Sequence, residues 1–391
     1  MISESNEIMA GFELGSEFSQ LTYYCQNNNE PTTVSTVTGE KKYQISTPKD
    51  LFPFVEQGAE LGIALLSNFF KQCLEELAGV KTMKKVSIMV TMKTMKSVWA
   101  RVIRLALDML DIPREQVFLQ DHQESFFYYL LNQKKEFWTG SAALFEYEKG
   151  EINAYELCID YHTKPAFVHV DKVSRLYLDT KARKGLSDDQ WIKTKDELFL
   201  NQCKKMFQDK NFTSVFLVGE KFDKIWTQKS LNFLCQKRHV FQGENLFSKG
   251  ACYGAMDKEG VAPLGDYLFA GPDMIEQNIS MPMIVKGKEI QYHLISAGVS
   301  WFMARHECEF ILDNTEEIRL YSKSMSSEEM QHSILLTDLP DRPNRATRIR
   351  MEIEFTSVNK CRICMDDLGL GKLYPSMGKK WESVIEFLER K

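Results

Sequence analysis

What this sequence lacks narrows it first. No run reaches the roughly 20 apolar residues that span a bilayer, and the opening MISESNEIMAGFELG has neither the basic start nor the long apolar core of an export signal. Positive charge is not in excess. The 49 lysines and arginines face 54 aspartates and glutamates, interspersed along the chain, so there is no concentrated basic stripe for nucleic acid or an anionic membrane. The nine cysteines (25, 73, 158, 203, 235, 252, 308, 361 and 364) are scattered, odd in number and set among apolar residues. That usage suits reduced thiols in the cytoplasm and not a disulfide frame. Cys361 and Cys364 form a lone CxxC without a second pair or histidines at zinc spacing, so no metal is expected there. His122, His162 and His169 have no paired nucleophile near them in sequence, which leaves no case for a catalytic triad. The expectation is a cytoplasmic protein, long enough for two or three cores, that takes neither nucleic acid nor membrane as a partner.

What is present is an ordered succession of strands and helices. GFELGSEFSQLTYY reads as a hairpin, two β-prone runs around a small-residue break. From Leu51, apolar residues through Gly58 to Leu77 recur at helical spacing and predict one helix of roughly six to seven turns. VSIMVTM then reads as a strand and MKSVWARVIRLALDMLDIP as a helix stopped by Pro113. Residues 116–120 form a strand, 123–133 a helix with the core aromatics Phe126, Phe127, Tyr128 and Tyr129, and 141–147 with 151–159 a second hairpin. Strands over 166–178, a helix over DDQWIKTKDELFLNQCKKMFQDK, the buried strand SVFLVGEKF and the small-residue helix LFSKGACYGAM complete an α/β region. The texture changes near GVAPLGDYLFAGPDM, rich in glycine and proline. Beyond it strand follows strand. Ile349, Met351, Ile353 and Phe355 alternate with Arg348, Arg350, Glu352 and Glu354, as a half-buried sheet requires, and WESVIEFLERK closes the chain as a short amphipathic helix.

In this order the pieces resemble the DnaK-type heat-shock chaperones of the actin-like ATPase superfamily, over nearly the whole chain. GFELGSEFSQLTYY is similar to that family's first phosphate hairpin, with Glu13, Gly15 and Ser16 on the motif. VSIMVTM through LDIPREQVFLQDHQESFFYYLLNQ resembles its strand, helix, strand and connecting helix, which implies that Asp121 is a carboxylate facing the nucleotide. LFEYEKGEINAYEL falls at the second phosphate hairpin, with Glu146 in the place of the metal-associated aspartate and Gly150 at the turn. SVFLVGEKFDKI resembles the adenosine strand and turn, carrying Gly219, Glu220 and Lys221. HSILLTDLPDRPNRATRIRMEIEF with VNKCRICMDDLGLGK is similar to the chaperones' substrate-binding β-sandwich. The implied fold is a two-lobed actin-like, ribonuclease H-like core without its upper subdomains. Lobes span 1–138 and 139–262, a linker 263–277, and a β-sandwich 278–391 ends in the short helix.

The chemistry implied by the resemblance is thinner than the fold. Phosphate hairpins aim backbone N–H groups at phosphates, which needs glycines for close approach. Tyr147, Glu148 and Lys149 occupy the family's glycine run, and Glu220 replaces the second glycine of the adenosine turn. Glu13, Asp121 and Glu146 are candidate catalytic carboxylates, with solvated strand and turn ends as the competing reading. The expected function is a chaperone-like, protein-binding adaptor on a pseudo-ATPase core with no cofactor. The alternative is an ATP-binding ATPase using Mg-ATP, as a minimal chaperone or an actin-like assembling protein. Expected partners are other proteins or extended peptides. AGVSWFMARH offers Ala297, Val299, Trp301, Phe302 and Met303 as a peptide grip, with burial in the strand core as the alternative.

Overall fold

Strands that are apolar on both faces need cover on both, and the first of two compact units, residues 1–271, supplies it with helices. The computed structural model describes residues 7–26, 28–35, 42–58, 60–77, 85–178, 183–219, 222–223, 225–324 and 329–387. In the first lobe, β1 (Ile8–Glu13) pairs antiparallel with β2 (Phe18–Tyr24), which carries the short β3 (Thr32–Thr33) and β4 (Ile45–Ser46). β5 (Val86–Met92) and β6 (Val117–Asp121) run parallel to β1, giving the order β3-β2-β1-β5-β6. The second lobe repeats this arrangement. β7 (Ser141–Glu148), β8 (Glu151–Asp160) and β9 (Ala166–Tyr177) are antiparallel, and β10 (Phe212–Gly219) with β11 (His239–Gly243) lie parallel to β7. β12 (Tyr267–Phe269) extends the far edge beside β9. Two sheets of one strand order, three antiparallel strands and then two parallel ones reached through helices, make the ribonuclease H-like lobes of the actin type expected from the sequence.

The expected long helix from Leu51 is two helices, α1 (Leu51–Glu56) and α2 (Glu60–Glu75). Gly58 separates them at φ +73°, a left-handed backbone that stops a helix, although its place in the apolar stripe suggested continuation. Phe12 packs edge-on against Phe69 and Phe70 of α2. Behind α2 stands α3 (Ser97–Asp108).

Two helices cover the inner faces of the lobes, α4 (His122–Leu131) and α7 (Leu246–Lys258). Their approach depends on the small residues of KGACYGAM. A Cβ on Gly250 would come within 2.0 Å of the Ser125 carbonyl oxygen, and one on Gly11 within 2.1 Å of the Cys252 nitrogen. Phe126, Phe127 and Tyr128 are buried against Leu144, Phe216 and Val218, so these aromatics are core, as expected. The other face of the second sheet packs Phe145, Val215 and Leu217 under α5 (Asp188–Phe207) and α6 (Gln228–Leu234). Ser187 caps α5 in a reciprocal box with Gln190. Among the described residues no helix is long and apolar enough to cross a membrane.

The second unit, residues 272–391, is all-β among its described residues. One sheet has the order β14-β13-β16-β17, from β13 (Gln277–Val285), β14 (Lys288–Ile295), β16 (Glu317–Ser324) and β17 (Met330–Leu335). The other is β15-β18-β19-β22, from β15 (Arg305–Ile311), β18 (Arg348–Ser357), β19 (Lys360–Asp367) and β22 (Lys380–Glu386), with the short pair β20 (Gly369–Leu370) and β21 (Tyr374–Pro375) lying between the last two in the chain. Ile349, Met351, Ile353 and Phe355 are buried in alternation. Cys361 points inward and Cys364 outward, because residues three apart in a strand lie on opposite faces.

Two sequence expectations change in this unit. The closing helix is instead the strand β22, paired with β19 from Lys360↔Glu386 to Asp366↔Lys380. Trp381, Ser383 and Ile385 alternate with Lys380, Glu382, Val384 and Glu386, a pleat period that can cover an open edge where a helix could not. Residues 388–391 of that expected helix lie outside the described residues. The peptide grip is core. Trp301 and Phe302 are 7% and 2% exposed, and the Trp301 indole donates to Asp273 Oδ1 at 2.9 Å, while Ala297, Val299 and Met303 are half-buried around them. Strand β13 begins at Gln277, the last residue of the linker expected over 263–277. Its Pro282 lies past Ser280, the last residue paired with β16, so the missing N–H breaks no ladder on that side.

Candidate functional site

Each lobe ends its first strand pair in a tight turn, and the two turns face one cleft. In the first, Leu14 donates its backbone N–H to the Thr91 carbonyl at 2.9 Å, and Thr47 Oγ1 donates to the Gly15 carbonyl at 2.8 Å. A side chain at Gly15 would strike the Phe18 carbonyl oxygen at 2.2 Å, so the turn requires glycine for close packing. The second turn has only two residues, Lys149 and Gly150, at φ 48° and 81°. Positive φ at both positions matches the twist of the flanking strands, and it dispenses with the longer glycine run of a phosphate loop.

The cleft has a volume of about 370 Å³ and is laced across by side chains of both lobes. Lys93, just past β5, holds Glu148 Oε2 at 2.7 Å and stands 3.0 Å from Glu146 Oε2. Lys149 Nζ donates to Ser16 Oγ at 3.3 Å and lies 3.7 Å from Glu17. His122, the first residue of α4, stacks on Phe247 of α7 with ring centroids 3.7 Å apart. Its Nδ1 is 3.3 Å from Glu146 Oε1 and its Nε2 is 3.6 Å from Glu13 Oε1. The imidazole therefore stands between a carboxylate of the first lobe and one of the second.

These two carboxylates are driven apart in acidity. Burial pushes Glu13 from its ordinary 4.5 up to about 7; His122 opposes the rise, while the charges of Glu146 and Glu148 add to it. Its Oε2 is buried without a hydrogen-bond partner. Burial also pushes Glu146 upward, but the hydrogen bond and charge of His122 and the Lys93 ammonium outweigh it and bring Glu146 to about 2. Lys93 is held above its ordinary value, because Glu146 and Glu148 overcome the effect of its burial.

Glu13, Gly15, Ser16, Glu146, Gly150 and Gly219 all line this cleft. Asp121 does not. It is the N-cap of α4, its Oδ1 accepting from the Glu124 backbone N–H at 2.8 Å, and the neighbouring His122 takes the cleft position. Glu220 and Lys221 lie outside the described residues. Gly219 has φ 101°, and any side chain there would meet the Tyr147 carbonyl oxygen at 2.2 Å. Beside it, where the resemblance implies adenosine, the rings of Tyr147, Phe222 and Trp226 are buried together, with Lys195 Nζ 3.9 Å from the Trp226 ring. Lys93 and His122 are cleft groups that no motif in the sequence marks. The available signal was position, since each directly follows a parallel strand of the first sheet.

The residues do not fit the Mg²⁺ that the resemblance implies. Glu146, which would hold it, already faces His122 with one oxygen and the Lys93 ammonium with the other. Among the described residues no group of histidine, cysteine, aspartate and glutamate is arranged to ligate a metal.

A model described as "Domain of unknown function (DUF8552)" matches residues 274–387. No curated protein matches the chain. Solved structures similar to it include a protein of actin-like ATPase fold and unknown function from Bacteroides thetaiotaomicron, at 12% identity and TM-score 0.34, covering 64% of this chain and 98% of that one. An inorganic polyphosphate/ATP-glucomannokinase from Arthrobacter sp. strain KM is 14% identical at TM-score 0.37, covering 65% and 99%. A ROK family transcriptional regulator, a homolog of the E. coli MLC protein, is 8% identical at TM-score 0.37, covering 66% and 80%. The model described as "Family of unknown function (DUF5716) C-terminal" matches residues 54–272, more than half of the chain, and the chain belongs to that family.

Proposed function

We propose that this chain is a non-hydrolysing scaffold that binds other proteins, built on an actin-type core whose phosphate seat is taken by its own ion pairs. The observation that carries the reading is Lys93, set between Glu146 at 3.0 Å and Glu148 at 2.7 Å in the space between the two hairpin turns. A triphosphate entering there would have to break those pairs and the Lys149 contact to Ser16. It would also meet six lining glutamates (13, 17, 56, 146, 148 and 244) against three lysines (93, 96 and 149), a balance that repels anions. Hydrolysis would further need a metal-positioned water in a closed site, and Glu146 and Glu148 are committed to the Lys93 ammonium.

With turnover gone, what remains useful is the shape, two lobes held by the close-packed α4 and α7. The C-terminal unit does not support a chaperone-style peptide grip at Trp301 and Phe302, since both are core. The test is thermal unfolding of the full chain with and without millimolar Mg-ATP. A ligand that binds only the folded state raises the midpoint by mass action. No rise is expected, together with phosphate release at the no-protein background. A rise of several degrees, abolished by Ser16→Glu, would contradict the reading.

A further inference from the structure

A second feature belongs to the all-β unit and to none of the chemistry of the cleft: the loop that joins β19 to β22. Residues 368–381 contain three lysines, Lys372, Lys379 and Lys380, and no acidic residue. Within them Leu373 is 86% exposed, Met377 66% and Leu370 36%. Exposed apolar side chains on a mobile loop would be unremarked, but this loop is fixed. Asp367, fully buried, takes both arms of Arg342 at 2.7 and 2.8 Å and the backbone N–H groups of Gly369 and Met377, each at 2.9 Å. Arg342 donates again to the Pro375 carbonyl at 2.8 Å, and a two-rung pairing of Gly369–Leu370 with Tyr374–Pro375 closes the base. Gly369 is obligatory there, because a Cβ would meet the Tyr374 carbonyl oxygen at 2.3 Å. Buried ion pairs rarely add net stability, and their best-attested return is a specified conformation. What this one specifies is a rigid tip that holds three apolar side chains out in solvent.

We propose that this tip docks on an anionic lipid bilayer, with Leu373, Met377 and Leu370 entering the interface and the lysines meeting the headgroups. The chain-wide charge of −5 averages over a local cationic segment. Lys372 has no ion-pair partner among the described residues, and Lys379 and Lys380 meet Asp338 and Asp366 only at 3.9 and 3.3 Å across exposed positions, contacts that a charged surface can replace. A bilayer suits side chains that stand this far out, because it receives them without a matching pocket. The outer face of the neighbouring sheet is unsuited to compete. Arg350 pairs with Glu307 and Glu309, and Arg362 with Glu354, so its charges are internally satisfied. Pre-organisation by the Asp367 clamp removes the ordering cost that a mobile loop would carry.

The test is flotation of the full chain with vesicles of phosphatidylcholine alone and of phosphatidylcholine mixed with phosphatidylglycerol. Binding is expected to the mixed vesicles only, weakening as salt rises. Lys372→Glu should weaken it about fivefold or more, one lysine near an anionic surface being worth that factor. Leu373→Asp, at a site that touches no core, should weaken it roughly tenfold or more while leaving the unfolding midpoint unchanged. Absence of binding to the mixed vesicles, or binding that Leu373→Asp leaves intact, overturns the proposal; the first result would leave the tip to an apolar pocket on a protein partner.

Discussion

Two regions of this molecule gather buried charge, and they treat it oppositely. In the second unit, Asp367 and Arg342 are 0% and 5% exposed in their side chains, and both carboxylate oxygens are satisfied by a guanidinium and two backbone N–H groups. Asp367 is accordingly drawn down to about 2, the Arg342 hydrogen bonds outweighing burial. In the cleft of the first unit, Glu13 keeps a buried oxygen without a hydrogen bond, and His122 Nε2 likewise has none. A satisfied pair is architecture. A half-satisfied one persists only where the surrounding fold imposes it, and such places tend to be sites or the remains of sites.

The comparison breaks most readily at its architectural end. Arg342→Ala would leave Asp367 buried and unpaired, and should cost about 3–5 kcal/mol in urea unfolding. A loss below about 1 kcal/mol would show that the clamp is not what orders the loop. Next in size is Glu13→Gln. Because the folded state raises Glu13 from 4.5 to about 7, it holds this proton more tightly than the unfolded chain does. Stability from this group is therefore full below pH 4.5 and is lost as pH rises through about 7. Gln, neutral throughout, should flatten that decline and make the variant more stable than the parent at pH 8 by about 1–3 kcal/mol, after discounting for coupling to Glu146. A pH-stability profile unchanged by the substitution would refute the assignment of Glu13 as the carboxyl whose proton the fold holds. The smallest effect belongs to Lys149→Ala. Its contacts to Ser16 and Glu17 are exposed, so the unfolding free energy should change by less than about 0.5 kcal/mol. A larger loss would mean that this contact, and not the α4–α7 packing, holds the lobes together.

Much of the fold was legible because it rests on local pattern. The doubly buried runs around Met9, Ile88 and Val215, the alternation from Ile349 to Phe355, and the glycines at 15, 150 and 219 each carry their geometry in residue type. The misreadings share a cause, which is that the deciding partner lies elsewhere in the chain. Residues 381–386 satisfy a short helical stripe as well as a strand, and only the open edge of β19 selects the strand. Trp301 looks like a displayed aromatic until Asp273 takes its indole N–H. In the site, Asp121 drew attention because carboxylates serve phosphate chemistry, but aspartate is equally the residue that caps a helix, and here it does so. The Lys93 contacts join the end of one lobe's strand to the other lobe's hairpin, a proximity that no periodicity encodes.

The central claim is that the seat between the hairpins is filled by Lys93, Glu146 and Glu148. Isothermal titration of Mg-ATP into the full chain at about pH 7 tests it most directly. No saturable heat is predicted for the parent protein. Saturable binding in the micromolar range, lost on Ser16→Glu, would contradict the account.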